Sequence, residues 1–176
     1  MKPPQRNEAA SADLIEWARE VAVDADAFAT ASRLVKRMGA QVTGEHTATF
    51  GFWAPSLRRL GVPADRAVLE ILTPPVDLDL SDPPPTASFR RDTVALNAGP
   101  MDTLWVACDD VRAGTREKAG VFYQVRIPAE DGSWHVVPDY LAASVPFGAF
   151  APAELYDLAA MQARRADAGY FQSLDT

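Results

Sequence analysis

The first part of the chain has the hydrophobic pattern of helices with one buried face. Apolar residues between Ser11 and Met38 recur at steps of three and four, which is the helical period. They are Leu14, Trp17, Ala18, Val21, Ala25, Phe28, Ala31, Leu34, Val35 and Met38. Ser11 is the expected N-cap, and Gly39 is the expected left-handed residue after the last turn. The pattern fits one helix, or two helices broken at residues 24–26, and we assign residues 1–39 to a helical lead-in.

The pattern then changes to short runs rich in aromatic and β-branched residues, separated by clusters of Gly, Pro and Asp. These runs predict strands at residues 47–54, 67–73, 87–96, 103–108, 120–128 and 134–137. In the first run Ala48, Phe50 and Phe52 share one face, and Trp53 lies on the other. We nevertheless expect Trp53 and Tyr123 to be core residues, because large rings in strands are usually buried.

The predicted fold is mainly β, an antiparallel β-sandwich over residues 40–143 with the helical segment before it and a helix after it. The Asp-Gly pair at 131–132 predicts a hairpin between the last two strands. Residues 145–152 are apolar, but two prolines and a glycine prevent regular structure there. A final helix is expected at 153–165, and we assign residues 144–176 to an apolar connector and helix.

Composition and charge limit the classes of partner that the chain can bind. The 176 residues carry a net charge of −7 with a pI near 4.8, so phosphate backbones and anionic membranes would be repelled. The first residues are too polar for a signal peptide, and no apolar run approaches the ~20 residues of a membrane span. We therefore expect a cytoplasmic protein. The single cysteine, Cys108, cannot form an intrachain disulfide and is expected to be a buried structural thiol.

The sequence offers no catalytic or metal-binding motif. A serine nucleophile would need His46 or His135 as its base, and Ser144 has no nucleophile elbow around it. Two histidines and one cysteine are too few for a zinc site. Residues 77–88 begin like a calcium loop but lack its glycine and glutamate. We predict no catalytic residue, no metal and no cofactor.

Aromatic side chains are the remaining candidates for a function. Trp134 and Tyr140 follow the Asp-Gly turn and the last strand, so we expect them to be exposed and able to stack on sugar rings. Phe147 and Phe150 lie in the apolar connector, where two bulky rings would be costly to leave in water. We expect these two phenylalanines to contact another domain.

Several short motifs resemble a known family. Their residues are Met-Gly-Ala at 38–40, Phe-Gly-Phe-Trp-Ala-Pro at 50–55, Gly-Val-Phe-Tyr-Gln-Val-Arg at 120–126, Asp-Gly at 131–132 and Pro-Asp-Tyr at 138–140. Together they resemble the N-terminal immunoglobulin-like, carbohydrate-binding-module-like domain of α-amylase-family glycoside hydrolases. Residues 144–157, beginning Ser-Val-Pro-Phe-Gly-Ala-Phe, are similar to a bacterial subgroup that includes glucosylglycerol hydrolases. The preceding helices, the proline-rich loop and the order Pro-Asp at 138–139 depart from the family pattern.

The resemblance implies an immunoglobulin-like sandwich placed before a catalytic barrel. Such a barrel needs about 250 residues, so the family's catalytic carboxylates would lie outside this chain and none is carried over. The expected function is a non-catalytic accessory domain that packs on the downstream barrel of a retaining α-glycoside hydrolase. Two alternatives stay open: an α-glucan-binding module that uses exposed aromatics, and a free-standing protein-interaction adaptor.

Overall fold

We describe the fold from a computed structural model. It describes residues 2–24, 26–59, 61–76, 78, 88–115, 118–148 and 151–160. The helices are α1 (Glu8–Ala22), α2 (Ala27–Val35) and α3 (Pro55–Arg59), with a 3₁₀ turn at Ala64–Arg66. The strands are β1 (Gln5–Arg6), β2 (Gly39–Gly44), β3 (Thr47–Trp53), β4 (Val68–Thr73), β5 (Arg90–Ala95), β6 (Asn97–Ala98), β7 (Thr103–Asp109), β8 (Phe122–Pro128), β9 (Trp134–Val137) and β10 (Ala153–Glu154).

The strands form two antiparallel sheets. In the first sheet the order is β1-β7-β3-β2, and β6 also pairs with β7. In the second the order is β10-β8-β4-β5, and β9 also pairs with β8. The mainly β sandwich predicted from the sequence is therefore confirmed, as is the hairpin of β8 and β9, whose turn has Gly132 at φ +82°.

One apolar core fills the space between the sheets. Side chains at alternate positions of each strand point inward, as the pleat requires. The first sheet contributes Ala48, Phe50, Phe52, Leu104, Val106 and Cys108, and the second contributes Leu69, Ile71, Val94, Tyr123, Val125 and Ile127. The predicted burial of Tyr123 is confirmed, since its ring is 1% exposed and packs edge-on against Phe50.

The outer face of the first sheet is covered by the two N-terminal helices. Trp105 and Ala107 of β7 are buried there against apolar side chains of the helical segment, which are Leu14, Ile15, Ala18, Val21, Leu34 and Met38. Trp53 lies at the end of β3 and is 68% exposed, so its predicted burial is wrong. Its side chain lies on the opposite face of the sheet from the core residue Phe52. The helices that cover this outer face do not extend far enough to bury it.

The helix boundaries correct one sequence-based prediction. The N-cap of α1 is Asn7, whose side-chain oxygen accepts the Ala10 N–H at 2.9 Å. Ser11 is buried instead, and its hydroxyl oxygen accepts the Ala107 N–H of β7 at 2.7 Å. The alternative of two helices is confirmed, because Asp26 caps α2 through the Phe28 and Ala29 N–H groups. No helix in the described part of the chain has the length and apolar character that a membrane span requires.

The segment after the connector begins as a strand, whereas a helix was predicted from Ala153. Ala153 and Glu154 form β10 and pair with Tyr123 and Phe122 of β8. Both residues are buried in the ladder, a tertiary contact that the local helical period cannot reveal. Helical residues appear at 158–160, and the remainder of the predicted helix lies outside the described residues.

Candidate functional surface

A row of side chains along β8 organises the outer face of the second sheet. Phe122, Gln124 and Arg126 alternate with core residues and therefore point away from the sandwich interior. Phe122 lies at one end of this row, packed with Leu72 and Phe89. The other end reaches β9, so that the face runs from an apolar end through a polar centre to an aromatic end.

A buried carboxylate holds the polar centre of this face. Glu70 of β4 has a side chain that is only 1% exposed. Its Oε1 accepts hydrogen bonds from Arg91 at 3.0 Å and Arg126 at 2.8 Å, and its Oε2 accepts one from the Gln124 amide. Burial raises the pKa of Glu70, but these hydrogen bonds outweigh it and hold the pKa below its ordinary value. A lone charged residue in the apolar run of β4 was the sequence signal that could have revealed this network.

Trp134 and Tyr140, the predicted sugar-contacting residues, are both exposed but lie in different places. Trp134 begins β9 opposite Pro128 and is 42% exposed, and the Arg126 guanidinium lies 5.1 Å from its ring centroid. Tyr140 is 76% exposed in the turn that follows β9. The whole of β9 lies between the two backbone positions, with Trp134 at its start and Tyr140 beyond its end.

The turn that carries Tyr140 is fixed to the core by a buried carboxylate. Asp139 accepts the Tyr123 hydroxyl hydrogen at 2.7 Å and the Leu141 N–H at 2.9 Å. Burial raises the pKa of Asp139, although both hydrogen bonds oppose the shift. Gly39, at φ +81°, lets the backbone pass close beneath Leu141. These contacts anchor the backbone of the turn that carries Tyr140 and Leu141.

Phe147, one of the two residues predicted to dock another domain, is half-buried on the outer face of the second sheet. Its ring stacks on Phe122, with centroids 4.9 Å apart and an interplanar angle of 21°, and meets Phe89 at 6.3 Å. Leu141 of the preceding turn and Val145 of the connector are 54% and 41% exposed. Phe150 lies outside the described residues.

Residues weighed as catalytic candidates are engaged in structural contacts or lie apart. Ser144 donates its hydroxyl hydrogen to Glu154 at 2.8 Å, and the other oxygen of that buried carboxylate accepts the Gly120 N–H at 2.8 Å. His46 and His135 lie in different sheets, His46 in the β2–β3 turn and His135 in β9. Within the described residues no three metal-ligating side chains come together.

Cys108 is a core residue rather than a reactive thiol. It is 1% exposed on the inner face of β7, and burial, followed by the charge of Asp109, raises its pKa to about 12. Because the thiolate is the reactive form, we expect the native chain to resist a thiol reagent at pH 8 and to react with one equivalent in denaturant. Absorbance of the released chromophore measures both. Rapid native labelling would contradict the described position of Cys108.

Comparison with known proteins identifies the family. A profile of the family described as hypothetical glycoside hydrolase 5 matches residues 13–176. The chain belongs to this family. The match confirms the glycoside-hydrolase resemblance of the sequence motifs. No curated protein sequence matches the chain.

Two solved structures show partial similarity. A pullulanase complexed with maltotriose, from Anoxybacillus sp. LM18-11, is 19% identical over 69% of this chain, with a TM-score of 0.44. A putative α-amylase from Salmonella typhimurium is 15% identical over 68%, with a TM-score of 0.39. The chain spans 14% and 15% of the lengths of these two proteins.

Proposed function

We propose that this member of the family described as hypothetical glycoside hydrolase 5 is a non-catalytic accessory domain that packs against a downstream α-glycosidase barrel. The observation that carries the proposal is the connector surface, which consists of Tyr140, Leu141, Val145 and Phe147. Three of these apolar side chains are largely exposed, and the fourth is half-buried. A contiguous exposed apolar patch marks an interaction surface, and we infer that these four side chains form one.

Hydrogen bonds and a ring contact anchor the connector surface to the sandwich, which favours docking over a flexible linker. Asp139 fixes the turn that carries Tyr140 and Leu141. The Ser144 backbone pairs with Glu154, and Phe147 stacks on Phe122. Groups that are already ordered lose little conformational entropy on binding, so a preorganised apolar surface binds more tightly than a mobile one. The predicted role of Phe150 in the same contact remains part of the proposal.

The buried carboxylates of the described residues support a non-catalytic role. Glu70, Asp139 and Glu154 are each occupied by hydrogen bonds from neighbouring groups that tie strands or turns together. Retaining glycosidases need two carboxyl groups about 5–5.5 Å apart that face the scissile bond. Catalysis would then take place in the barrel, and the substrate would be an α-linked glucoside such as glucosylglycerol.

The proposal is tested on the full-length enzyme with a double substitution, Leu141→Ser/Val145→Ser. Both side chains are exposed here, so the variant should leave the fold of this domain intact. We expect the temperature at which glycosidase activity is lost to fall by about 4 °C or more, because interdomain apolar contacts are removed. The matched control is Val23→Ser/Phe28→Ser, which removes two apolar side chains that are 83% and 84% exposed on the helical side.

Equal inactivation temperatures for the two double variants would contradict docking through the connector surface. The isolated 176-residue chain should release no sugar from glucosylglycerol, maltooligosaccharides or aryl α-glucosides. Hydrolysis that is abolished by a single Asp or Glu substitution in this chain would overturn the accessory role.

Trp134 supports one alternative, an α-glucan-binding module. The Arg126 guanidinium lies against its ring, and the exposed part of the ring could stack on a sugar. Tyr140 would contribute a second, separate contact. Titration with maltoheptaose, followed by calorimetry, distinguishes the two functions, since only glycan binding is weakened by Trp134→Ala and left unchanged by Leu141→Ser.

A further inference from the structure

The edge strand β9 differs from the two longer edge strands, β5 and β2. The edge strand β5 begins Arg-Arg-Asp, charges that oppose pairing with another chain, and the edge strand β2 is interrupted by a register shift between Val42 and Gly44. By contrast β9 has the sequence Trp-His-Val-Val, with no acidic, lysine or arginine side chain. It pairs with β8 on one side, and no described strand pairs with its other side.

The hydrogen-bond pattern shows which backbone groups of β9 face outward. The Ala129 N–H donates to the Ser133 oxygen at 2.8 Å, which makes this a hydrogen-bonded pair of the hairpin. Such pairs alternate along an antiparallel ladder, so Trp134 opposite Pro128 is a non-hydrogen-bonded pair, as the missing N–H of proline requires. By the same alternation, Trp134 and Val136 direct their N–H and C=O groups to the free edge.

We propose that β9 pairs antiparallel with β9 of a second copy of this chain, continuing the second sheet across a two-fold axis. The inference is independent of the proposed function, because it uses the β9 edge and not the connector surface. A two-fold interface must be complementary to itself, and an uncharged strand with two outward-facing residues meets that condition. The side chains of Trp134 and Val136, 42% and 46% exposed, would be covered.

Two parity conditions limit the possible registers, and the number of backbone groups that each register bonds then selects one. Residues directly opposite must lie on the same face of the sheet, and both must direct their backbone groups to the shared edge where they form a hydrogen-bonded pair. Pairing Trp134 with Val136 of the second copy satisfies both conditions, and the symmetry repeats the contact. This register bonds all four outward backbone groups of each copy, whereas pairing Trp134 with Trp134 or Val136 with Val136 bonds only two of them within β9. It also places His135 directly opposite His135 of the second copy, on the axis.

The register predicts a charge-swap experiment at His135. His135→Glu and His135→Lys each place two like charges opposite one another, so each variant alone should self-associate at least about tenfold more weakly than the wild type. An equimolar mixture brings Glu opposite Lys and should restore association. The matched control is His46→Glu, an equal change of charge at an exposed histidine in the β2–β3 turn, which should have no effect.

Sedimentation equilibrium of the 176-residue chain from about 10 µM to about 1 mM, at about 0.15 M salt, measures the association. The interface is small, so the wild type should dimerise weakly, at concentrations on the order of 100 µM. Unchanged thermal unfolding of the exposed-site variants confirms that they fold. A wild type that stays monomeric throughout overturns the proposal. Single variants that associate like the wild type, or a mixture that fails to recover, also overturn it.

Discussion

Replacing Trp105 by alanine should lower the free energy of unfolding by about 3–5 kcal/mol, the usual cost of removing a large aromatic side chain from a core. Trp105 is 1% exposed and joins the first sheet to the N-terminal helices. Its ring meets Trp17 edge-on with centroids 6.2 Å apart, and Gly51 leaves room for it. Domains of this size are stabilised by about 5–15 kcal/mol, so the variant loses a large share of the total.

Trp53→Ala is the matched control for this prediction. Trp53 lies on the neighbouring strand β3 and on the same outer face, yet it is 68% exposed. Its removal should change the free energy of unfolding by no more than about 0.5 kcal/mol. Urea denaturation followed by circular dichroism measures both variants. Similar losses for Trp53→Ala and Trp105→Ala would contradict the described placement of the helices over the first sheet.

The same pair of tryptophans shows how far the sequence predicts the structure. Alternation within β3 correctly separates Phe52 from Trp53, because the side-chain period of a strand is a local property. Whether the face of Trp53 is covered depends on where the helices end over the sheet. That is a tertiary property, so the sequence-based burial of Trp53 failed while the strand itself was predicted well.

Short strands and buried carboxylates were missed for a related reason. β1, β6 and β10 each have two residues, too few to show a hydrophobic period. Each of them forms by pairing with the edge of a longer strand. Glu70, Asp139 and Glu154 are spaced far apart in the sequence, and each finds its hydrogen-bond donors only after the sheets assemble. The exposure of Trp134 and Tyr140 was predicted correctly, because both lie at the hairpin or beyond its end.

The second large effect is expected at Glu70. Glu70→Gln removes the negative charge that Arg91 and Arg126 share, and should lower the free energy of unfolding at pH 7 by about 2–3 kcal/mol. The loss stays below the full cost of breaking a buried pair because both arginines reach solvent. The control is Asp92→Asn on β5, whose bond to Arg90 joins two partly exposed side chains and should contribute no more than about 1 kcal/mol.

The pH dependence of stability identifies the charge of Glu70 as the cause. The pKa of Glu70 is lowered in the folded chain, so its contribution is fully present above the unfolded pKa of about 4.3 and is lost as the pH falls through the folded value. Asp139 has a raised pKa and acts in the opposite direction, but it is present in both proteins. The difference in stability between wild type and Glu70→Gln therefore isolates Glu70. Urea titrations at pH 7 and at about pH 3 should show this difference shrinking as Glu70 becomes protonated. A difference that stays constant would mean that the packing of the Glu70 side chain, and not its charge, stabilises the outer face.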